Sequence, residues 1–264
     1  MIIEMKLPQK IKKAYSEGGL SIVTVRSIRY LYSKLPTKLR LKLTAIKNYL
    51  NGVKDLKKEK FWKYGEYYFP SMIYPGQITK VNQGYSKLMG AKYTLPQEGI
   101  EIDKNDKVVD VGAFVGAFSK FAAGISNNDV IAIEPTPKSY LCLKMNTEVK
   151  TINAAISKDE CSFNISDDPT DNSLMNPDNG KIKSAIEVKT MELQEIEDID
   201  FLKIDAEGYE PEVLETLGET KPKKISVDVT KERDGESSYK EVREILEKMD
   251  YCVFKKDGVA FARQ

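Results

Sequence analysis

From residue 107 onward, short apolar runs alternate with segments of helical periodicity, and this alternation constrains the fold more than any other feature. We predict strands over five of these runs, at 107–111, 130–134, 149–157, 201–205 and 224–229. The last residues, 251–262, are typical of a hairpin around Asp257-Gly258, which we expect to add an antiparallel strand at the edge. Strands separated by helices predict an α/β fold, with a mostly parallel sheet and helices on both faces.

Four helical segments separate these strands, and one polar stretch interrupts the pattern. The predicted helices lie at 115–124, 137–148, 209–217 and 236–250. Residues 161–190 are rich in Asp, Asn, Pro and Ser. We predict a loop there, between two short strands.

Charge is distributed unevenly, although the whole chain has a formal net charge of only +1. Residues 1–63 contain 16 Lys and Arg against 4 Asp and Glu. Apolar spacing predicts helices at 20–35 and 39–50, so we expect a basic helical N-terminal module over 1–63. Its residues 34–63 offer either a solvated basic face or a surface for an anionic membrane or a polyanionic substrate. We expect no nucleic acid partner, because basic and aromatic residues do not interleave and the second half is acidic.

Residues 64–94 are rich in Tyr, Gly and Pro, and they predict an aromatic-rich connecting segment of loops and short strands. Its aromatic side chains either pack against the core or line a pocket. The α/β domain then extends over 95–264.

Composition excludes several kinds of site. The chain has no histidine, which excludes Ser-His-Asp and Cys-His catalysis and histidine metal ligands. Its three cysteines form no CxxC or similar cluster, so we expect neither a disulfide framework nor a zinc site, and a reducing, cytoplasmic setting. We also expect no secretory signal, and no apolar run approaches the ~20 residues needed to span a bilayer.

The turn after the first predicted strand, within KVVDVGAFVGAF at 107–118, is where a parallel sheet would bind a ligand. A phosphate-binding P-loop is excluded, because no Lys-Ser/Thr pair follows Gly116. The dinucleotide fingerprint is incomplete, because Phe114 replaces the central glycine that lets the backbone approach a pyrophosphate.

Two carboxylates favour a ligand that carries a positive charge and a ribose. Asp110, at the end of the first strand, would repel a pyrophosphate and attract a cation, unless it only caps a turn or helix. Glu134 ends the second strand, where an acid can accept hydrogen bonds from ribose hydroxyls. S-adenosylmethionine (SAM) has a sulfonium, an ammonium and a ribose, so Asp110, Gly112, Gly116 and Glu134 together predict a SAM pocket.

Four stretches of the chain resemble the FkbM-type SAM-dependent methyltransferases, in the family's order. They are VVDVGAFVGAFS, VIAIEPTPKSYLCLKMN, INAAIS and FLKIDAEGYEPEVLETL, of which LKIDAEGYE is the most specific. The resemblance covers about residues 95–230. It implies a Rossmann-like, seven-stranded class I methyltransferase sheet in a SAM-dependent domain at 95–264. It also implies O-methylation, often of hydroxyls on sugars or secondary metabolites.

The resemblance also implies roles for individual residues. Contacts to SAM are implied for the turn (Asp110, Gly112, Ala113, Phe114, Gly116), the ribose site (Glu134), the adenine site (Asn153, Ala154, Ala155) and the methionine site (Asp205). Glu207 and Glu210 would follow toward the substrate. A Glu-x-His pattern often ends the family's next strand, but this chain has Asp228-Val229-Thr230, which removes histidine-assisted proton transfer.

Asp205 and Glu207 are the candidates for a general base that takes the acceptor's hydroxyl proton. Alternatively, Asp205 only holds the SAM ammonium and Glu207 caps the following helix. A Mg²⁺ ion at Asp205 and Asp228, which end neighbouring strands, is a further alternative, although we assign no metal ligand in the predicted site.

The sequence therefore predicts a SAM-dependent O-methyltransferase acting on a hydroxyl of a sugar, a glycan or a lipid-linked glycan. It would be cytoplasmic, either free or peripheral at the membrane through residues 34–63. Two alternatives stay open: a non-catalytic SAM-fold adaptor at a membrane surface, and an NAD-dependent oxidoreductase, against which the missing central glycine argues.

Overall fold

The computed structural model describes residues 54–56, 61–70, 75–127, 129–160, 162–166, 182–233 and 235–264. The chain divides into two compact units, Met1–Gly52 and Val53–Gln264, and the described residues lie in the second. The predicted helices at 20–35 and 39–50 lie outside the described residues. The second unit begins before the predicted boundary at 63, and its first strand, Lys54–Leu56, pairs with Phe61–Tyr64.

The secondary structure elements follow in chain order. The strands are β1 Lys54–Leu56, β2 Phe61–Tyr64, β3 Tyr67–Phe69, β4 Val108–Val111, β5 Val130–Ile133, β6 Lys150–Ile152, β7 Ala155–Ile156, β8 Ser162–Ser166, β9 Ile182–Glu187, β10 Thr190–Met191, β11 Phe201–Ile204, β12 Lys224–Asp228, β13 Lys231–Arg233, β14 Glu236–Ser237, β15 Cys252–Lys256 and β16 Val259–Arg263. The α-helices are α1 Pro75–Asn82, α2 Tyr85–Tyr93, α3 Ala117–Ala123, α4 Pro137–Asn146, α5 Glu210–Glu215 and α6 Tyr239–Lys248. Short 3₁₀ turns lie at Pro96–Glu98 and Leu193–Glu195.

A seven-stranded sheet forms the centre of the unit, in the order β15-β16-β12-β11-β4-β5-β6. The strands from β12 to β6 are parallel, and β16 runs antiparallel to both of its neighbours. The predicted seven-stranded, mostly parallel class I methyltransferase sheet is thus confirmed. The C-terminal hairpin lies at this edge, as expected: β16 pairs antiparallel with β12, and β15 is the outermost strand.

Burial on both faces explains why the central strands are continuous apolar runs. Every residue of β4, β5 and β11 is buried. Because side chains alternate along a strand, Val109 and Leu202 enter one hydrophobic cluster while Val108 and Phe201 enter another. Helices on the two faces of the sheet therefore have separate apolar surfaces to cover.

Two sequence predictions change in detail near the site. The strand predicted at 149–157 is divided into β6 and β7, with Asn153 and Ala154 between them, and β7 pairs with β10. The polar stretch at 161–190 does contain two short strands, β8 and β9, which pair antiparallel. Residues 167–181 lie outside the described residues.

The aromatic segment at 64–94 packs closely on the sheet domain. It contains strand β3 and the end of β2, as the expected short strands, and also the two helices α1 and α2, which the sequence did not predict. Tyr67, Phe69 and Tyr93 are each at most 1% exposed, so their main role is packing. Asn146 on α4 accepts a hydrogen bond from the backbone N–H of Tyr68 at 2.8 Å, which fixes β3 against α4. No helix within the described residues is long and apolar enough to cross a membrane.

Candidate active site

A cavity of about 600 Å³ lies at the carboxyl ends of the parallel strands, where open α/β sheets bind their ligands. The strand order arranges its walls: Asp228 ends β12, Asp205 follows β11, Gly112 follows β4, Glu134 follows β5 and Ala154 follows β6. The cavity is lined by eight of the predicted residues, namely Gly112, Ala113, Phe114, Glu134, Ala154, Ala155, Asp205 and Glu207.

The turn after β4 brings the backbone to the edge of the cavity. A Cβ atom on Gly112 would lie 1.8 Å from the carbonyl oxygen of Asp205, and its φ is +71°, so only glycine fits there. Phe114 also has a positive φ, of 50°, which costs a residue with a side chain about 1–3 kcal/mol. The surrounding hydrogen bonds hold this strained turn in place.

Glu134 supplies one of those hydrogen bonds. Its Oε2 accepts the backbone N–H of Phe114 at 2.8 Å, and its Oε1 accepts that of Thr136 at 2.8 Å. Burial raises the pKa of Glu134 to about 7, although the backbone N–H groups of Thr136 and Phe114 act in the opposite direction. The carboxylate can accept a further hydrogen bond, such as one from a ribose hydroxyl.

Asp110 lies behind the cavity rather than in its wall. The residue is fully buried, and Lys203, its neighbour in the β11–β4 register, places Nζ 2.9 Å from Asp110 Oδ1. Ser119 donates a hydrogen bond to Asp110 Oδ2 at 2.5 Å. The prediction of a direct contact between Asp110 and a cationic ligand is therefore corrected, because an internal lysine already neutralises this carboxylate.

Lys203 also holds the turn from beneath. Its ammonium donates to the carbonyl oxygens of Val111 at 3.1 Å and of Gly112 at 2.9 Å. Its side chain is only 3% exposed. Asp110 thus acts on the cavity through Lys203 and the Val111–Gly112 backbone.

Two further predicted cofactor residues support the site without lining it. Asn153 donates from Nδ2 to the carbonyl oxygens of Glu134 at 2.8 Å and Pro135 at 3.0 Å, so it fixes the loop after β5 instead of flanking adenine. Gly116 starts α3 with φ +85°, and a Cβ there would lie 2.6 Å from Thr147 Cγ2. Gly116 therefore serves close packing and not a ligand contact.

A hydrogen-bonded network of acids lies across the other end of the cavity. Tyr93 donates to Asp205 Oδ2 at 2.5 Å, and its hydroxyl lies 3.2 Å from Asp228 Oδ2. Asp228 also forms an ion pair with Lys92 and accepts the Thr230 hydroxyl at 2.7 Å. Burial by itself would raise the pKa of Asp205, but Lys203, Lys92 and the Tyr93 hydroxyl outweigh it and lower that pKa. Asp205 is consequently a stable anion and a weak base.

The turn after β11 places two glutamates differently. Glu207 lines the cavity and has a positive φ of 50°. Glu210 is 1% exposed, and its Oε1 accepts the N–H groups of Ala206 at 3.1 Å and Gly208 at 3.0 Å. The expectation that Glu210 faces the substrate is wrong, because its carboxylate holds the turn together from inside.

The donor set does not fit the Mg²⁺ alternative. In the part of the chain that the structure describes, no group of three or more His, Cys, Asp and Glu residues could hold a metal ion. Asp228 already forms an ion pair with Lys92 and a hydrogen bond with Thr230, and Asp205 accepts a hydrogen bond from Tyr93.

Several residues of the site were missed from the sequence. Lys80, Tyr85 and Lys92, from α1 and α2, line the cavity, as does Glu232 from the β13–β14 hairpin. One alternative for the aromatic side chains of 61–95 was that they line a pocket. Tyr85 does line the cavity. No pattern marked Glu232, nor Lys203, whose partner Asp110 is distant in the sequence.

A seven-stranded sheet of this order, with a cavity across the ends of β12, β11, β4 and β5, defines a class I methyltransferase. The model of the methyltransferase FkbM domain matches residues 110–253, which is more than half of the chain. The chain belongs to the FkbM family of methyltransferases, and it is a SAM-dependent methyltransferase. This assignment argues against the oxidoreductase alternative.

Comparison with solved structures gives distant similarities. Methyltransferase FkbM from Methylobacillus flagellatus KT is 17% identical at a TM-score of 0.44, over 65% of this chain and 47% of that one. This chain thus matches about half the length of the Methylobacillus protein. TYW2 from M. jannaschii, in complex with AdoMet, is 17% identical at a TM-score of 0.41, over 77% and 86% of the two chains. A SAM-dependent methyltransferase from Aquifex aeolicus is 14% identical at a TM-score of 0.40, over 67% and 96%. No curated protein sequence matches this chain.

Proposed function

We propose that this methyltransferase transfers the methyl group of SAM to a hydroxyl of a sugar or glycan. The observation that carries the proposal is a cavity with two chemically different ends. One end combines Glu134 with the small apolar residues Ala154 and Ala155, and the other is lined by Asp228, Thr230 and other polar side chains.

The first end suits the adenosyl part of SAM. Glu134 can accept a hydrogen bond from the ribose in addition to those from the Phe114 and Thr136 N–H groups. Ala154, Ala155 and Ile156 offer an apolar wall for adenine. The buried hydroxyl of Ser139, which has no hydrogen-bond partner among the described residues, lies in the same wall and can gain one from the ligand.

The middle of the cavity suits the methionine part. The Gly112 backbone lies against the backbone carbonyl of Asp205 there, and both residues line the cavity. Because Asp205 is kept ionised, we assign it to the positive charges of the ligand instead of to proton transfer. When bound, SAM supplies an electrophilic methyl group.

The second end suits an acceptor molecule that carries several hydroxyl groups. The carboxylates of Asp228 and Glu207 are hydrogen-bond acceptors at its wall, and Lys80 is a donor. Such acceptors can orient a sugar hydroxyl, and holding the acceptor oxygen in line with the methyl group provides much of the acceleration of a displacement.

Transfer of tritium from methyl-labelled SAM tests this function. The acceptor panel contains methyl glycosides, nucleotide sugars and a glycolipid extract, together with primary amines and thiols. We expect labelled product with a sugar acceptor, carrying a methyl ether in mass spectrometry. Labelled amines or thiols, with unlabelled sugars, would contradict the proposed acceptor and leave the SAM site intact.

We also propose that residues 34–63 bring the enzyme to an anionic surface. The support is their composition, with ten Lys and Arg against two Asp and Glu. Sedimentation with vesicles of phosphatidylcholine, with and without phosphatidylserine, tests this. We expect binding to the anionic vesicles only, declining with salt; equal binding to both would contradict it.

A further inference from the structure

Among the described residues of the β13–β14 hairpin, Glu232 is the one that lines the cavity. The hairpin is firmly held at this position. Arg233 binds Glu212 through two hydrogen bonds of 2.8 and 2.7 Å and donates to the carbonyl oxygen of Gly208 at 3.0 Å. A Cβ on Gly208 would lie 2.6 Å from the Glu232 carbonyl oxygen, so the two backbones are in close contact. Glu232 is therefore fixed at the acceptor end.

The hydrogen bonds around Thr230 require an additional proton. Its Oγ1 lies 2.6 Å from Glu232 Oε1 and 2.7 Å from Asp228 Oδ1, but a threonine hydroxyl has one hydrogen. Two carboxylates at these distances cannot both be served by that hydrogen, so one of them is protonated. Asp228 already receives the Lys92 ammonium and the Thr230 backbone N–H, the latter at 2.9 Å. The proton consequently belongs to Glu232, which donates to Thr230, which donates to Asp228.

We propose that Glu232 is the final proton acceptor of the methyl transfer, and that the proton reaches it through the hydroxyl of Thr230. This rests on the proposed function of the cavity. The acceptor O–H bond breaks while its oxygen bonds to the methyl carbon, and the carbon–sulfur bond of the sulfonium breaks to leave a neutral thioether. The acceptor's proton passes to Thr230 Oγ1 as the Thr230 hydrogen passes to Glu232 Oε1. After the transfer, Glu232 is protonated and donates to Thr230, which donates to Asp228, in agreement with the distances of 2.6 and 2.7 Å given above.

The charges that face Glu232 agree with this role. They come from four elements: Asp205 after β11, Asp228 on β12, Glu210 on α5 and Lys92 on α2. Burial, followed by the charges of Asp205 and Asp228, raises the pKa of Glu232 to about 8. A base with this pKa can both take the proton and return it to solvent near neutral pH.

Infrared difference spectra test the protonation without any acceptor. The full chain with bound S-adenosylhomocysteine is titrated from pH 6 to 10, and the protonated carboxyl band is followed. We expect Glu232→Gln to remove one band that titrates near pH 8, and Glu236→Gln, an exposed control on the same hairpin, to retain it. An unchanged titration in Glu232→Gln would overturn the proposal.

Kinetics with a sugar acceptor that becomes labelled in the tritium assay test the route. We expect Glu232→Gln and Thr230→Val to lower kcat about 100-fold or more, with unchanged affinity for SAM, whereas Thr230→Ser, which keeps the hydroxyl, restores activity. Wild-type kcat should rise with pH up to about 8, and Glu232→Gln should lose this dependence. Wild-type kcat in Glu232→Gln or Thr230→Val overturns the proposal. If no sugar is methylated, the proposed acceptor fails, and the infrared titration still decides whether Glu232 carries the proton.

Discussion

Replacing Lys203 by methionine removes the cation that neutralises Asp110 inside the sheet. The two side chains are 3% and 0% exposed, and Nζ lies 2.9 Å from Oδ1, so water cannot take over the role of the lysine. Removing one partner of a buried ion pair costs about 3–5 kcal/mol, since the other charge is left without compensation. We expect Lys203→Met to lose about this much unfolding free energy, a large part of the roughly 5–15 kcal/mol typical of a folded protein.

A double-mutant cycle with Asp110→Asn separates the charge pair from the loss of packing. The neutral amide that replaces the Asp110 carboxylate needs no cation, so the double variant should be at least about 2 kcal/mol more stable than the sum of the single effects. Urea unfolding followed by circular dichroism measures all four proteins. The control is Lys158→Met, which breaks an exposed pair with Glu215 at 3.7 Å and should cost at most about 1 kcal/mol. Additive single effects, or a loss in Lys203→Met no larger than in the control, would refute the reasoning.

Three further variants test other parts of the site. Gly112→Ala should show no SAM binding in calorimetry, because its Cβ would lie 1.8 Å from the Asp205 carbonyl oxygen; measurable affinity would contradict the geometry of the turn. Ser139→Ala should weaken SAM binding about 2- to 10-fold without loss of stability, since the hydroxyl has no partner among the described residues until the ligand binds; a destabilised variant would show that it has another partner. Burial raises the pKa of Glu210 from 4.5 to about 7, so between these values the folded state holds a proton that the unfolded chain has released. Unfolding free energy should therefore fall as pH rises from about 4.5 to about 7, and less so in Glu210→Gln; parallel pH curves would argue against this.

The sheet was predictable because its strands are buried on both faces. Runs such as Val108–Val111 and Phe201–Ile204 are apolar for that reason. Strands that are connected by helices in this way usually lie parallel in one sheet. Gly112 and Glu134 were found for a related reason, since both directly follow such runs at the edge where ligands bind.

Contacts that depend on strand register could not be predicted. Lys203 in FLKID gives no local sign that its Cα pairs with Asp110 across β11 and β4. The sequence therefore indicated a free carboxylate where the fold contains an internal ion pair. The same holds for Tyr93, which reaches Asp205 over 112 positions of sequence.

The elements at the acceptor end of the cavity were not predicted from the sequence, because their composition is polar. The β13–β14 hairpin, Lys231–Arg233 and Glu236–Ser237, has charged residues where a half-buried strand would alternate polar with apolar ones. Helices α1 and α2 were not predicted either, because the Tyr, Gly and Pro content of this segment favoured loops and short strands. Both regions supply side chains to the cavity, so the sequence indicated the lining residues that follow β4 and β5 but not those from α1, α2 and the β13–β14 hairpin.

Calorimetry with SAM, S-adenosylhomocysteine and NAD tests the central claim, that this cavity is a SAM site. We expect one molecule of SAM or S-adenosylhomocysteine per chain and no binding of NAD. Glu134→Ala should weaken SAM binding at least tenfold, or about 1.4 kcal/mol, whereas Glu148→Ala, at an exposed control position, should leave it unchanged. Wild-type affinity in Glu134→Ala, or binding of NAD in place of SAM, would contradict the account.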